Sequence, residues 1–274
     1  MPEISGLALP PIRSEFFPMN PTLRLLALAA LTLSCAPAQD EKWTSIFNGK
    51  DLDGWTPKIQ GLALGEDPKK TFIVENGAIK VSYANYSEWG DAFGHLFYKT
   101  KFSHYRIRLE YRVVGEQVKN GPGWAIQNSG IMLHCQDPKT MGKDQSFPAS
   151  LEFQLLGAGN GVKTTGNLCT PGTFVTIDGK ENKAHCINST EPTRPAGEWV
   201  KAEAEVHGGK LVKHLINGKV VFEYTDTKLN PAEAEAKPLI EAQGHNNLTE
   251  GYISLQSESH PYEFRNIEVL ELKP

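Results

Sequence analysis

Residues 104–114, HYRIRLEYRVV, alternate apolar and polar side chains without a break. Successive side chains of a strand point to opposite faces. Tyr105, Ile107, Leu109, Tyr111 and Val113 therefore share one face, and Arg106, Arg108, Glu110 and Arg112 the other. That pattern makes a half-buried strand of an antiparallel sheet with a charged outer surface. The alternation returns in WVKAEAEVH (199–207), where Val200, Ala202, Ala204 and Val206 face inward. Turn dipeptides punctuate such runs. Asn76-Gly77 folds 71–83 into a hairpin, and Gly208-Gly209 and Asn217-Gly218 make a meander of 199–224. Short runs at 94–100, 251–258 and 262–272 read as further strands. Strands at such regular spacing predict an all-β sandwich or barrel. Asn230 to Lys237, NPAEAEAK, is the one predicted helix, with Pro231 in its first turn.

Residues 23–34, LRLLALAALTLS, are too short to span a bilayer and have the size of a signal-peptide core. Residues 1–38 are read as a signal peptide, with translation starting at Met1 or Met19. Ala36-Pro37-Ala38 is an A-x-A cleavage site; the competing reading is lipoprotein processing that leaves Cys35 as a lipid anchor. The remainder, 39–274, is one domain, exported to the periplasm or beyond. Three cysteines remain after processing, and an oxidising compartment favours one disulfide. Cys169 and Cys186 flank a loop-rich segment and are the expected pair. The net charge of −4, with no basic run, argues against nucleic acid as a partner. No membrane span is expected, and the oligomeric state is left open.

The chemistry concentrates in 127–157, QNSGIMLHCQDPKTMGKDQSFPASLEFQLLG. Two strand-like runs flank a polar loop. In the first, Ile131 and Leu133 share a face, and Met132 and His134 the other; in the second, Leu151, Phe153 and Leu155 oppose Ser150, Glu152 and Gln154. On a solvated face Glu152 is an idle carboxylate; in a groove its pKa rises into a working acid–base range. Gln154 beside it both donates and accepts, which suits sugar hydroxyls. His134 reads as a structural histidine or as the partner of Glu152. Gln256, His260 and Arg265 lie on late strands and their loop, and Trp124 stands in a glycine-containing loop where it would stack on a sugar ring. The ordinary reading of Arg265 is an Arg–carboxylate pair.

The segments FNGKDLDGW (47–55), NSGIMLHCQ (128–136), SLEFQLLG (150–157), GNLCTPGT (166–173), HLINGKVVFEY (214–224) and ISLQSESHPYEFRNIEVLEL (253–272) resemble, in this order, the 3-keto-disaccharide hydrolase family. The resemblance implies a concanavalin A-like jelly-roll sandwich of an exported bacterial protein, cleaving the glycosidic bond of sugars oxidised at C3. A retaining glycosidase needs two carboxyls about 5–5.5 Å apart. Laminarinase-like sandwiches carry them as E-x-D-x-x-E on one strand, whereas here the run is Glu152-Phe-Gln154-Leu-Leu-Gly157. A 3-keto sugar needs less, because the ketone acidifies C2–H and allows elimination at C1, followed by addition of water. His134 and Glu152 are the expected catalytic pair, assisted by Gln154 or a divalent metal ion; Gln154, Gln256, His260, Arg265 and Trp124 are the expected sugar contacts. Two alternatives stand beside this reading: a lectin-like module without catalysis, and an ordinary glycoside hydrolase.

Overall fold

The computed structural model describes residues 42–274. The signal peptide, the start at Met19 and the Cys35 anchor lie outside these residues. Two antiparallel sheets face each other across the core. The larger has ten strands, in the order Lys180–Asn182, Thr173–Ile177, Lys219–Leu229, Leu211–Ile216, Val200–His207, His104–Val113, Tyr262–Glu271, Ala78–Val81 and Phe72–Glu75, with Thr44–Ser45 also pairing on Tyr262–Glu271. The smaller has seven: Cys186–Ile187, Asn167–Cys169, Leu151–Leu156, Asn128–Cys135, Tyr252–Ser257, Gly94–Tyr98 and Trp55–Ile59. This is the expected all-β jelly-roll sandwich.

The alternation of 104–114 is realised as read. Tyr105, Ile107, Leu109, Tyr111 and Val113 are buried. The outward side chains form a ladder of ion pairs: Arg108 to Glu268 at 2.8 Å, Arg112 to Glu263 at 2.6 Å, and Arg265 to Glu110 at 2.7 Å. Exposed pairs of this kind contribute about 0–1 kcal/mol each, so the apolar face carries the stability. Asn76 and Gly77 both take positive φ, 51° and 77°, as a two-residue hairpin turn requires.

The helix is displaced from its expected place. Residues 230–236 form turns, and the helix is Lys237–Gln243, ended by Gly244 at φ 74°. The Ala-Glu repeat has good propensity but no apolar stripe to pack. Leu239 and Ile240, one turn later, rest on the core, and tertiary packing decides where so short a helix forms.

Cys169 and Cys186 form the disulfide, and Cys135 is free and buried. Between the two bonded cysteines the chain leaves the seven-stranded sheet, adds Thr173–Ile177 and Lys180–Asn182 to the edge of the other, and returns. The link therefore closes an excursion spanning 17 residues. Replacing both cysteines by serine should cost about 3 kcal/mol, in the loop-entropy picture. The expected result is a lower urea midpoint, no longer sensitive to reductant; an unchanged midpoint would show that the strand pairing alone holds this excursion.

Candidate active site

The register of the seven-stranded sheet sets out its open face row by row. Glu152 stands opposite Cys169 on one side and Met132 on the other; Gln154 stands opposite Asn167 and Gly130. Across the next strands Gln256 stands opposite His95, and His95 opposite Lys58. Directly paired residues share a face. The face away from the core therefore carries a set of polar side chains, many of them buried.

A groove of about 600 Å³ opens there. Glu152, Glu258, Gln154 and Asn128 line its floor, while Trp124, Phe147, His185 and the disulfide form its walls. Gln154 accepts a hydrogen bond from Asn167 Nδ2 at 3.0 Å, which leaves its own amide N–H groups for a ligand. Asn167 is fixed in turn, since its Oδ1 accepts from Thr164 Oγ1 and from the Ser189 backbone N–H. Trp124 is 56% exposed and stacks on Phe93, with ring centroids 6.0 Å apart and planes at 9°. Asn160 Nδ2 holds its loop by donating to the carbonyls of Trp124 and Ile126. An exposed, oriented indole at the mouth of a polar groove is a platform for a sugar ring. Trp124→Ala should weaken sugar binding by about tenfold, given about 1–1.5 kcal/mol for an aromatic contact. Titration calorimetry reads that loss, and unchanged affinity would remove Trp124 from the site.

Glu152 and Glu258 are the centre of the groove. Glu152 is 5% exposed and Glu258 2%, and neither takes part in an ion pair among the described residues. Burial pushes the Glu152 carboxyl up to about 8, with the neighbouring Gln256 amide working against the rise. Burial also raises Glu258, and the charge of Glu152 raises it further. Two carboxyls that share a dry site cannot both ionise readily, so their protonation states separate.

Several sequence expectations need correction. His134 does not face Glu152. Its side chain lies in the inter-sheet core, with Nε2 3.1 Å from the Gly208 carbonyl oxygen and its ring 5.9 Å from that of Tyr105. The cause is a β-bulge. Tyr252 pairs with Cys135 but Ser254 pairs with Met132, so one extra residue lies between them, and His134 takes φ 50°. The extra residue reverses the alternation. Gly251 presses on the bulge, where a Cβ would come within 2.3 Å of the His134 carbonyl carbon. Arg265 is on the outer face of the other sheet, paired with Glu110 and stacked on Trp199 at 3.9 Å. His260 is buried near Tyr262, away from the groove lining. Gln256 is on the groove face but fully buried, and it is not part of the groove lining.

The second carboxyl, Glu258, and the amides of Asn128 and Asn167 were not singled out as site residues from the sequence. The signal for Glu258 was its place on one face with Gln256. Among the described residues no three His, Cys, Asp or Glu side chains converge. The residues present do not by themselves compose a divalent-metal centre, and the chemistry is derived from the carboxyls. A second hollow, of about 760 Å³, lies on the ten-stranded sheet, but its carboxylates Glu110, Glu203 and Glu268 are taken up by arginines.

A family model described as a 3-keto-alpha-glucoside-1,2-lyase-like domain matches residues 42–270. Among solved structures, a candidate glycosyl hydrolase of Parabacteroides distasonis is 22% identical, covers 85% of this chain and 95% of its own, and superposes with a TM-score of 0.50. A second candidate glycosyl hydrolase of that organism is 18% identical, with 84% and 100% covered and a TM-score of 0.51. A galectin-like protein of unknown function from Bacillus subtilis is 13% identical, with 80% and 90% covered and a TM-score of 0.50. At these identities the likeness is one of fold. No curated protein matches the chain.

Proposed function

The chain belongs to the 3-keto-alpha-glucoside-1,2-lyase-like family, and on that premise we propose that its groove cleaves the C1–O bond of 3-keto-glycosides by elimination across C1 and C2, followed by hydration. The observation that carries this reading is the buried pair Glu152 and Glu258, both displaced toward the neutral form. Glu152, whose ionised form the neighbouring Gln256 amide favours, acts as base. It takes the proton from C2, the C–H electrons form the C1=C2 bond, and the C1–O bond breaks. Glu258, held toward its protonated form by burial and by the charge of Glu152, gives its proton to the departing oxygen. Water then adds at C1, its proton passing back through the carboxyls to C2. Gln154 and Asn128 hold ring hydroxyls, and Trp124 carries the apolar face of a ring. Export of the protein, inferred from the apolar 23–34 stretch and consistent with a disulfide, places the reaction outside the cytoplasm.

An ordinary retaining glycosidase would need one of its carboxyls ionised as nucleophile at neutral pH. A pair in which both are raised by burial fits that poorly. It fits abstraction of a C–H proton made acidic by a ketone, for which a base near 8 is well matched.

The test is turnover of a 3-keto-glucoside beside its unoxidised parent, in D₂O. Only the keto sugar should release aglycone, with deuterium entering at C2. The rate should rise with pH toward about 8 as Glu152 loses its proton, and fall at higher pH as Glu258 does. Release from the unoxidised sugar would establish an ordinary glycosidase. Binding of both sugars without release would establish a lectin-like module.

A further inference from the structure

Behind Phe147 the open face of the seven-stranded sheet continues under a roof. The loop between Asn128–Cys135 and Leu151–Leu156 crosses over it and is tied down beyond. The Lys143 carbonyl accepts from Lys58 Nζ at 2.8 Å and from the Gly61 N–H at 3.0 Å, and Ser146 Oγ donates to Gln60 Oε1 at 2.9 Å. Phe147 closes the near end, packed edge-on against His95 with centroids 5.8 Å apart. Beneath this roof lie three polar side chains in one row: Lys58, His95 and Gln256 are cross-strand neighbours on successive strands. All three are buried, His95 and Gln256 completely. Both nitrogens of His95 and both amide atoms of Gln256 lack a direct hydrogen-bond partner. Buried polar atoms in that state need a role or a bridging water. Past Gly130 the row continues to Gln154, and Glu152, one pair along the same strand, leans over Gly130 and neighbours Gln256: a Cβ at Gly130 would stand 2.9 Å from Glu152 Cγ and 3.0 Å from its Oε1.

We propose that Lys58, His95 and Gln256 form a one-directional hydrogen-bonding relay that aims the Gln256 N–H at Glu152, making His95 and Gln256 positioning residues for the base. The donor inventory permits only this direction. An ammonium has three N–H donors and no acceptor, and an ionised carboxylate accepts only. Lys58 spends two donors on the carbonyls of Ile59 and Lys143, leaving one for the neighbouring imidazole. His95, held neutral by burial and by the nearby Lys58 charge, has one acceptor and one donor nitrogen. Its acceptor faces Lys58, so its N–H serves Gln256 Oε1. The Gln256 amide nitrogen is then left for Glu152. Each link through His95 and Gln256 passes by way of one bridging water. The relay stabilises the ionised form of Glu152 and not that of Glu258, which lies past the end of Tyr252–Ser257. It thereby fixes which of the two carboxyls releases its proton first. The other titratable groups lining the groove with Glu152 are Glu258 on the floor and His185 on the wall, while Lys143 and Asp144 of the roof lie near Lys58 at the other end of the row.

The inference rests on the reading of Glu152 as the base, and its test does not depend on turnover. Carbon-detected NMR of side-chain-labelled glutamate, with Glu152 assigned through Glu152→Gln, follows the titration directly. Gln256→Leu should move the Glu152 titration upward by about one unit, since one lost charge-assisted hydrogen bond is worth about that much. His95→Phe, which keeps a ring without its nitrogens, should move it upward by a smaller step, and His95→Gln should return it toward the wild-type value. If Gln256→Leu does not fold, Gln256→Met, of equal length and without an N–H, takes its place. A Glu152 titration unmoved in folded variants at both positions overturns the relay. If the titrations move as stated while the wild-type protein leaves 3-keto-glucosides intact, the relay stands and the assigned reaction falls.

Discussion

Glu152→Gln should abolish turnover and, at neutral to alkaline pH, make the protein more stable. Loss of a positioned acid or base typically costs about 10²–10⁴ in rate. The stability gain follows from the same burial. Folding raises the Glu152 carboxyl from its ordinary 4.5 to about 8. Below pH 4.5 the group is protonated in both folded and unfolded chains, and the substitution changes nothing by this route. Between 4.5 and 8 the unfolded chain has released a proton that the folded chain retains, so the wild-type fold loses stability as pH rises. Above about 8 the full penalty, of order a few kcal/mol, is present. The neutral amide avoids it. Calorimetry should show nearly equal melting temperatures near pH 4 and a gap of several degrees at pH 8, at about 2–4 °C per kcal/mol for a domain of this size. A variant less stable than wild type at pH 8 would mean that Glu152 is not held toward its neutral form.

Gly130→Ala should remove most of the activity while leaving the fold intact. The added Cβ meets the Glu152 side chain, not backbone. Glu152 therefore has to move from its present position. Displacement of a reacting group by about 1 Å can cost on the order of 10²-fold. Thermal melting should stay within a few degrees of wild type, because a glycine within a strand has no packing to lose. Equal activity in Gly130→Ala would show that the carboxyl does not use the space above this glycine. Gly251→Ala makes the useful contrast. There the added atom would meet backbone at 2.3 Å, so folding rather than activity is the expected casualty.

The strands that alternate most strictly were the most legible. The run 104–114 and the meander 199–224 need only local sterics and one buried face to declare themselves, and they sit where the pattern puts them. Glu152 and Gln154 were also readable, because their strand is regular and its apolar face is unambiguous. His134 was not. A single bulge turned it to the core, and nothing in the residues around it distinguishes a bulged strand from a regular one. Arg265 followed the same logic in reverse: its strand was correctly placed, but which sheet it joined decided that it meets Glu110 and Trp199 rather than a sugar.

The pairing of Glu152 with Glu258 lies further from reach. The two residues are 106 positions apart, and they meet because Tyr252–Ser257 inserts beside Asn128–Cys135 in the sheet. The sequence, by its period of two and its turn dipeptides, determined an all-β sandwich with one polar-faced strand bearing a glutamate, because those properties depend on neighbouring residues alone. Only the tertiary structure decided which second acid faces that glutamate, which face His134 takes and what the roof loop covers. Those depend on strand order, on one extra residue at a bulge and on burial, and burial is what turns two ordinary carboxyls into a pair able to exchange a proton with a sugar.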